Sequence, residues 1–105
     1  MFIYLNMANE LTTEKLEKAA YILKTVAHPL RLKVIELLGN TEKMSVGELC
    51  DVLACEQSLV SHHLNNMRLK GLLKAEKQGV QVFYSLKERE LLGLLACIEK
   101  CNCNM

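Results

Sequence analysis

The chain has no apolar run approaching the roughly 18 residues that a membrane-crossing helix needs, so no membrane partner is expected. Its opening, Met1-Phe2-Ile3-Tyr4-Leu5-Asn6-Met7, is apolar but lacks the basic segment and the long apolar core of a secretory leader. There are no internal repeats, no low-complexity stretches and no internal linker. There is no phosphate-cradling glycine loop, no nucleophile–base triad and no Cys-x-x-Cys motif, so an enzyme is not expected. A length of 105 residues (11.9 kDa) fits one domain spanning the chain and excludes a two-domain enzyme or a large α/β barrel. A composition that is 50% hydrophobic and 24% charged excludes disorder.

Net charge is also nearly absent, at +1, but its distribution is uneven. Residues 1–56 sum to −2 and residues 88–105 to −1. Between them, Arg68, Lys70, Lys74, Lys77 and Lys87 face one acid, Glu76, for a net +4 over residues 57–87. From residue 57 to residue 75 there is no Asp or Glu at all. A solvated helix face ordinarily mixes both signs. A face without carboxylates on a near-neutral chain is the footprint of a polyanion partner.

The hydrophobic spacing is mostly helical. Leu16, Ala19, Ala20, Leu23, Val26 and Ala27 recur on one stripe from Thr12 or Thr13 to about Ala27. Pro29, the single proline, sits where a second helix begins, because a first-turn position gives up no needed donor. That helix carries Leu30, Val34, Ile35, Leu37 and Leu38, with Gly39 as its expected stop. Ser45-Val46-Gly47-Glu48 reads as a capping box opening a short helix, with Leu49, Val52 and Leu53 expected inward. A further helix starts at Gln57, turns Val60, Leu64 and Met67 inward, and ends at Lys70-Gly71. The period then falls to two: Val80, Val82 and Tyr84 alternate with Gln81, Phe83 and Ser85. Leu72 to Glu76 would pair with that strand across a turn at Lys77-Gln78-Gly79. Leu91, Leu92, Leu94, Leu95 and Ile98 close the pattern as a helix too apolar for one surface stripe, as if buried on two sides.

The expected fold class is therefore mainly α with a small β-hairpin: a winged helix–turn–helix, five helices plus a wing. Its second motif helix suits the major groove, about 12 Å wide. Gln57, Ser58, Ser61, His62, Asn65 and Arg68 are the candidate outward residues, all able to bond base edges or phosphates. Gln57 and Ser58 lie in the first turn, where a helix N-terminus also favours phosphate.

The stretch Val26-Ala27-His28-Pro29-Leu30-Arg31-Leu32-Lys33-Val34-Ile35-Glu36-Leu37-Leu38 resembles the second-helix signature of the ArsR/SmtB family of bacterial metal-sensing repressors. Ser45-Val46-Gly47-Glu48-Leu49, Gln57-Ser58-Leu59-Val60-Ser61-His62-His63-Leu64 and Leu69-Lys70-Gly71-Leu72-Leu73 look like its recognition unit. Residues 77–86, Lys77 to Leu86, are similar to its wing, and the likeness runs over roughly residues 16 to 95. The resemblance implies a homodimer that represses by occupying double-stranded operator DNA and leaves when an effector binds. It implies a dimer interface built from the first and last helices, with residues 1–9 as a tail and 88–105 as the dimerisation helix and its Cys-containing tail. It places Gln57, Ser58, Ser61 and His62 on base- and phosphate-contacting positions, and Lys77, Gln78 and Gly79 at the wing tip near the minor groove or backbone.

The family's sensor sites match poorly. Its third-helix Cys-Val-Cys core falls here on Ser45 and Gly47, with Cys50 coinciding with a family cysteine nearby. Its terminal-helix zinc positions fall on Glu88, Glu90, Cys101 and Asn104, which is not a His-rich set. What the residues offer instead is Cys97-x3-Cys101-x-Cys103, with Cys97 and Cys101 one helical turn apart. Such thiols suit a soft metal or metalloid ion such as trivalent arsenic, Cu(I), Cd(II) or Pb(II), or oxidation to a disulfide or polysulfide. No resident cofactor is required, and the ion would act as effector. Inert thiols, or a bridge between protomers, are the other readings of Cys97, Cys101 and Cys103.

Five cysteines without a leader point to a reducing cytoplasm. Cys50 reads as buried beside Leu49 and Leu53, and Cys55 lies in the turn before the recognition helix. His62 and His63 are adjacent, about 100° apart on a helix, and so cannot chelate one metal together. His28 would cap or pack at the turn into the second helix. The competing function classes are a winged-helix regulator or protein-interaction module with structural cysteines, and a small thiol oxidoreductase or metal chaperone.

Overall fold

The computed structural model describes residues 11–101 of the chain. The tail at residues 1–9, together with Cys103, lies outside them. The elements run α1 (Thr13–Val26), α2 (Pro29–Asn40), β1 (Met44–Ser45), α3 (Val46–Leu53), α4 (Gln57–Leu69), β2 (Leu73–Gln78), β3 (Gln81–Leu86) and α5 (Leu91–Glu99). Five helices and a small sheet form the winged helix that the spacing predicts.

Local chemistry sets the boundaries. Thr12 caps α1 by accepting from the Lys15 amide at 3.1 Å. His28 caps α2 through Nδ1, which accepts from the Leu30 amide at 3.1 Å, and Pro29 opens that helix. The capping box is formed in full. The Glu48 amide donates to Ser45 Oγ at 3.1 Å, and the Ser45 amide donates to Glu48 Oε1 at 2.8 Å. α4 ends in a Schellman motif on Gly71, whose φ is +84°. The Gly71 amide donates to the Arg68 carbonyl at 3.0 Å, and the Leu72 amide to the Met67 carbonyl at 2.9 Å.

Gly39 is not a helix stop. It lies inside α2, which continues to Asn40 and is capped by Thr41. A β-carbon there would collide with the Leu92 side chain, so the glycine serves the close approach of α5 to α2. Arg89 adds to that contact by donating from Nη2 to the Gly39 carbonyl at 3.1 Å.

The sheet has three strands rather than two, ordered β1-β3-β2 and antiparallel throughout. The short β1 pairs Met44 with Tyr84 and Ser45 with Phe83, tying the entry of the helix–turn–helix to the wing. The wing register runs from Leu73 opposite Leu86 to Gln78 opposite Gln81. The turn is therefore Gly79-Val80, and Lys77 and Gln78, expected in the turn, are still paired in β2. Gly79 takes a positive φ of 65° at the first central position, the pattern of a type II′ turn. Val80 leaves the strand alternation and stands at the tip, 97% exposed.

The core gathers Val34, Ile35 and Leu38 of α2, Leu49 of α3, and Val60, Leu64 and Met67 of α4, closed by the base of the wing at Leu73, Tyr84 and Leu86. α3 turns Leu49, Cys50 and Leu53 toward this core, whereas Val52 is exposed, contrary to the expected inward set. α1 contributes little beyond its last turn. Leu16 is 53% and Leu23 49% exposed, so most of the predicted stripe faces away from this core.

Candidate nucleic-acid interface

α4 rests on the core through Val60, His63, Leu64 and Met67. The same helical period turns Gln57, Ser58, His62, Asn65 and Arg68 outward, all exposed, with Ser61 half-buried at the edge of the face. The predicted outward residues thus share one surface. Arg68 Nη2 donates to Asn65 Oδ1 at 2.7 Å, which orients both head groups on that surface. No side chain caps the α4 N-terminus, unlike those of α1, α2 and α3, and no acid lies in its first turn. Its first amides thus have no side-chain acceptor, and the N-cap residue is the exposed Glu56.

The wing adds exposed basic residues. Lys74, Lys77 and Gln78 on β2 are exposed. Gln78 Nε2 donates to Glu76 Oε1 at 3.4 Å, so the single acid of this segment is engaged on the wing itself. β2 is buried only at Leu73.

The inner side of α4 carries a polar network that the sequence reading did not find. Arg31 on α2 donates from Nε to His63 Nδ1 at 2.9 Å, and from Nη1 to Asn66 Oδ1 at 2.8 Å and to the Thr25 carbonyl at 2.8 Å. His63 is buried. Its ring lies 4.5 Å from that of His28 and 5.4 Å from that of His62, centroid to centroid. Burial, then the positive charge of Arg31, then His28 and His62, hold the His63 pKa below the ordinary imidazole value of 6.5. The available signal was position: residue 63 falls on the same stripe as Val60, Leu64 and Met67.

The thiols are scattered. Cys50 and Cys55 pack against the core, and Cys55 Sγ donates to the Leu53 carbonyl at 3.3 Å. Cys97 is exposed on α5. Cys101 is exposed too, two residues past the last residue of α5, Glu99. The Cys101 amide donates to the Ile98 carbonyl at 3.0 Å, a tightened turn at the end of α5. Among the described residues no group of three His, Cys, Asp or Glu side chains is placed to hold a metal ion, and Cys103 lies outside them. Among the same residues no helix is long and apolar enough to cross a membrane.

Comparison with known proteins meets this geometry. Residues 28–75, from the α2 cap into the wing, match the family model described as "Bacterial regulatory protein, arsR family". The transcriptional repressor PagR of Bacillus anthracis is 39% identical over 80 residues, covering 76% of this chain and 80% of PagR. Its crystal structure superposes with a TM-score of 0.74 at 36% identity, over 83% of this chain and 99% of that one. HlyU of Vibrio cholerae, named a transcriptional activator, superposes with a TM-score of 0.77 at 31% identity, over 89% of this chain and 100% of that one.

The fold, the carboxylate-free helix face and these relatives define a class: a winged-helix transcriptional regulator, not an enzyme. Within that class, the chain belongs to the ArsR/SmtB family of bacterial regulatory proteins.

Proposed function

We propose that the protein is a homodimeric repressor that occupies a double-stranded operator and is released by a thiol-reactive effector. The observation that carries the DNA reading is the outer face of α4, polar along its length and without a carboxylate, followed along the chain by a wing whose Lys74 and Lys77 are exposed. Gln57, Ser58, Ser61 and His62 read base edges and phosphates in the major groove. Asn65 and Arg68 hold the phosphate backbone, and Lys77 and Gln78 follow the adjacent backbone or minor groove. A second copy brings a second α4 one turn of DNA away, about 34–36 Å along the duplex. Repression follows from occupancy and agrees with the named role of PagR.

The effector is a soft metal or metalloid ion, or an oxidant such as a reactive sulfur species, acting on Cys97, Cys101 and Cys103. Support comes from the exposure of Cys97 and Cys101 at the end of α5 and from the affinity of thiolate for soft ions. Loading these thiols would alter the terminal helix and, through it, the spacing of the two recognition helices.

One titration tests both parts. Reduced protein is bound to its own promoter DNA and followed by anisotropy while arsenite, Cd(II) or polysulfide is added. The expected result is a steep loss of affinity with salt and release on effector addition. Cys97→Ser with Cys101→Ser should keep DNA binding and lose the release. Release of the double variant by the same reagents moves the sensor elsewhere. Absence of release from the native protein leaves a regulator with structural cysteines.

A further inference from the structure

Arg31 joins three helices. It is rooted on α2, reaches the last turn of α1 at the Thr25 carbonyl, and grips α4 at His63 Nδ1 and Asn66 Oδ1, all within 2.8–2.9 Å. A second tie lies beside it. The Lys70 ammonium, at the α4 cap, sits 5.3 Å from the Tyr21 ring centroid, and within α1 itself Thr25 Oγ1 donates to the Tyr21 carbonyl at 2.7 Å. The end of α1 therefore holds α4 at its middle and at its C-terminus. His63 and Asn66 each follow directly on an outward residue, His62 and Asn65. A rotation of α4 that breaks the inner bonds also re-aims the outer face.

We propose that Arg31 is a positioning residue for DNA reading: through His63 and Asn66 it fixes the rotation of α4 relative to α1, and it does so only while the His63 imidazole is neutral. The proposal rests on the reading of α4 as the recognition helix. A guanidinium has donors only and stays charged at any working pH. Its bond to Nδ1 needs the lone pair on that nitrogen. A proton on Nδ1 removes the acceptor and sets two cations against each other in a buried place. The groups facing His63 are Arg31 and His28, from α2 and its cap, and His62 on α4 itself, none of them a carboxylate that would compensate. Acid therefore unlatches α4, and the operator is released without loss of general attraction to phosphate.

The test uses a duplex selected from random sequence on the full-length native protein, with a scrambled duplex of equal length beside it. Affinity for both is measured from about pH 5.5 to 8 for the native protein, Arg31→Met, His63→Asn and His63→Ala, with thermal melting as the fold control. Arg31→Met should lose about tenfold on the selected duplex and little on the scrambled one, because base contacts need alignment and phosphate contacts do not. Asn keeps an acceptor near the Nδ1 position and does not titrate. His63→Asn should therefore retain at pH 7.5 the selectivity that His63→Ala loses, and it should not share the native decline of selectivity in acid. An unchanged selectivity in Arg31→Met, or an acid profile of His63→Asn that superimposes on the native one, overturns the proposal. If Arg31→Met does not fold, the profiles of His63→Asn and native protein decide alone. A native protein that binds neither duplex ends the DNA reading, and this inference with it. Native binding with an unchanged Arg31→Met ends the inference only.

Discussion

His63 shows how one side chain carries both packing and charge. It sits on the buried stripe of α4, yet it is a base with an unprotonated Nδ1 held against Arg31 at 2.9 Å. Folding favours its neutral form more than the unfolded chain does, so the unfolded state binds more protons below the ordinary value of 6.5. Stability is then full above that value and declines as pH falls toward the lower folded pKa. Melting of the native protein should drop as pH falls below about 6.5 by more than that of His63→Asn, which has no imidazole to charge. Equal declines would place the acid sensitivity in other groups. The outward partners of α4 were legible because a period of 3.6 separates Gln57, Ser61 and His62 from Val60 and Leu64 without any tertiary information. The Arg31–His63 bond was not, since its partners are 32 residues apart and no local pattern encodes such a pairing.

Elements end where their side chains satisfy the backbone, and this is where the reading from sequence worked best. The box at Ser45 and Glu48, the cap at His28 and the stop at Gly71 each depend on residues within a few positions of one another. Gly39 misled because glycine has two uses, a left-handed turn and room for a neighbour, and the second depends on Leu92, far along the chain. β1 was missed for a like reason. Two residues carry no period, and they become a strand only because Phe83 and Tyr84 pair with them. Ser45 is the most demanding of these positions, being at once strand residue, helix cap and buried polar group. Ser45→Ala leaves the Glu48 amide without its acceptor in a part-buried setting. The expected loss is about 1–2 kcal/mol, read by denaturant unfolding. A change below about 0.3 kcal/mol would mean that the reciprocal bond from Glu48 suffices alone.

At the scale of the molecule, the unused surface is the informative part. α1 buries only Thr25 and Val26 and exposes Leu16 and Leu23, while α5 exposes Ile98 at its far end. Between the two helices lies a groove of about 490 Å³ lined by Ala19, Ile22, Leu23, Leu91 and Leu94, with Lys18, Glu88 and Glu90 at its rim. An apolar floor with charges at the rim is the anatomy of an association surface. On the proposed reading a second copy covers it, and a two-fold axis there sets the two α4 helices apart on one duplex. Leu23→Glu puts a carboxylate on that surface and touches neither the core nor α4. Sedimentation should find the native protein at about 24 kDa, twice the chain mass of 11.9 kDa, and the variant at the chain mass. The variant's DNA affinity should fall, and the slope of log affinity against log salt should shrink to about half, since a lone protomer neutralises half the phosphates. A variant that stays dimeric with an unchanged slope would place the two-fold contact on some other face and leave the groove between α1 and α5 without this role.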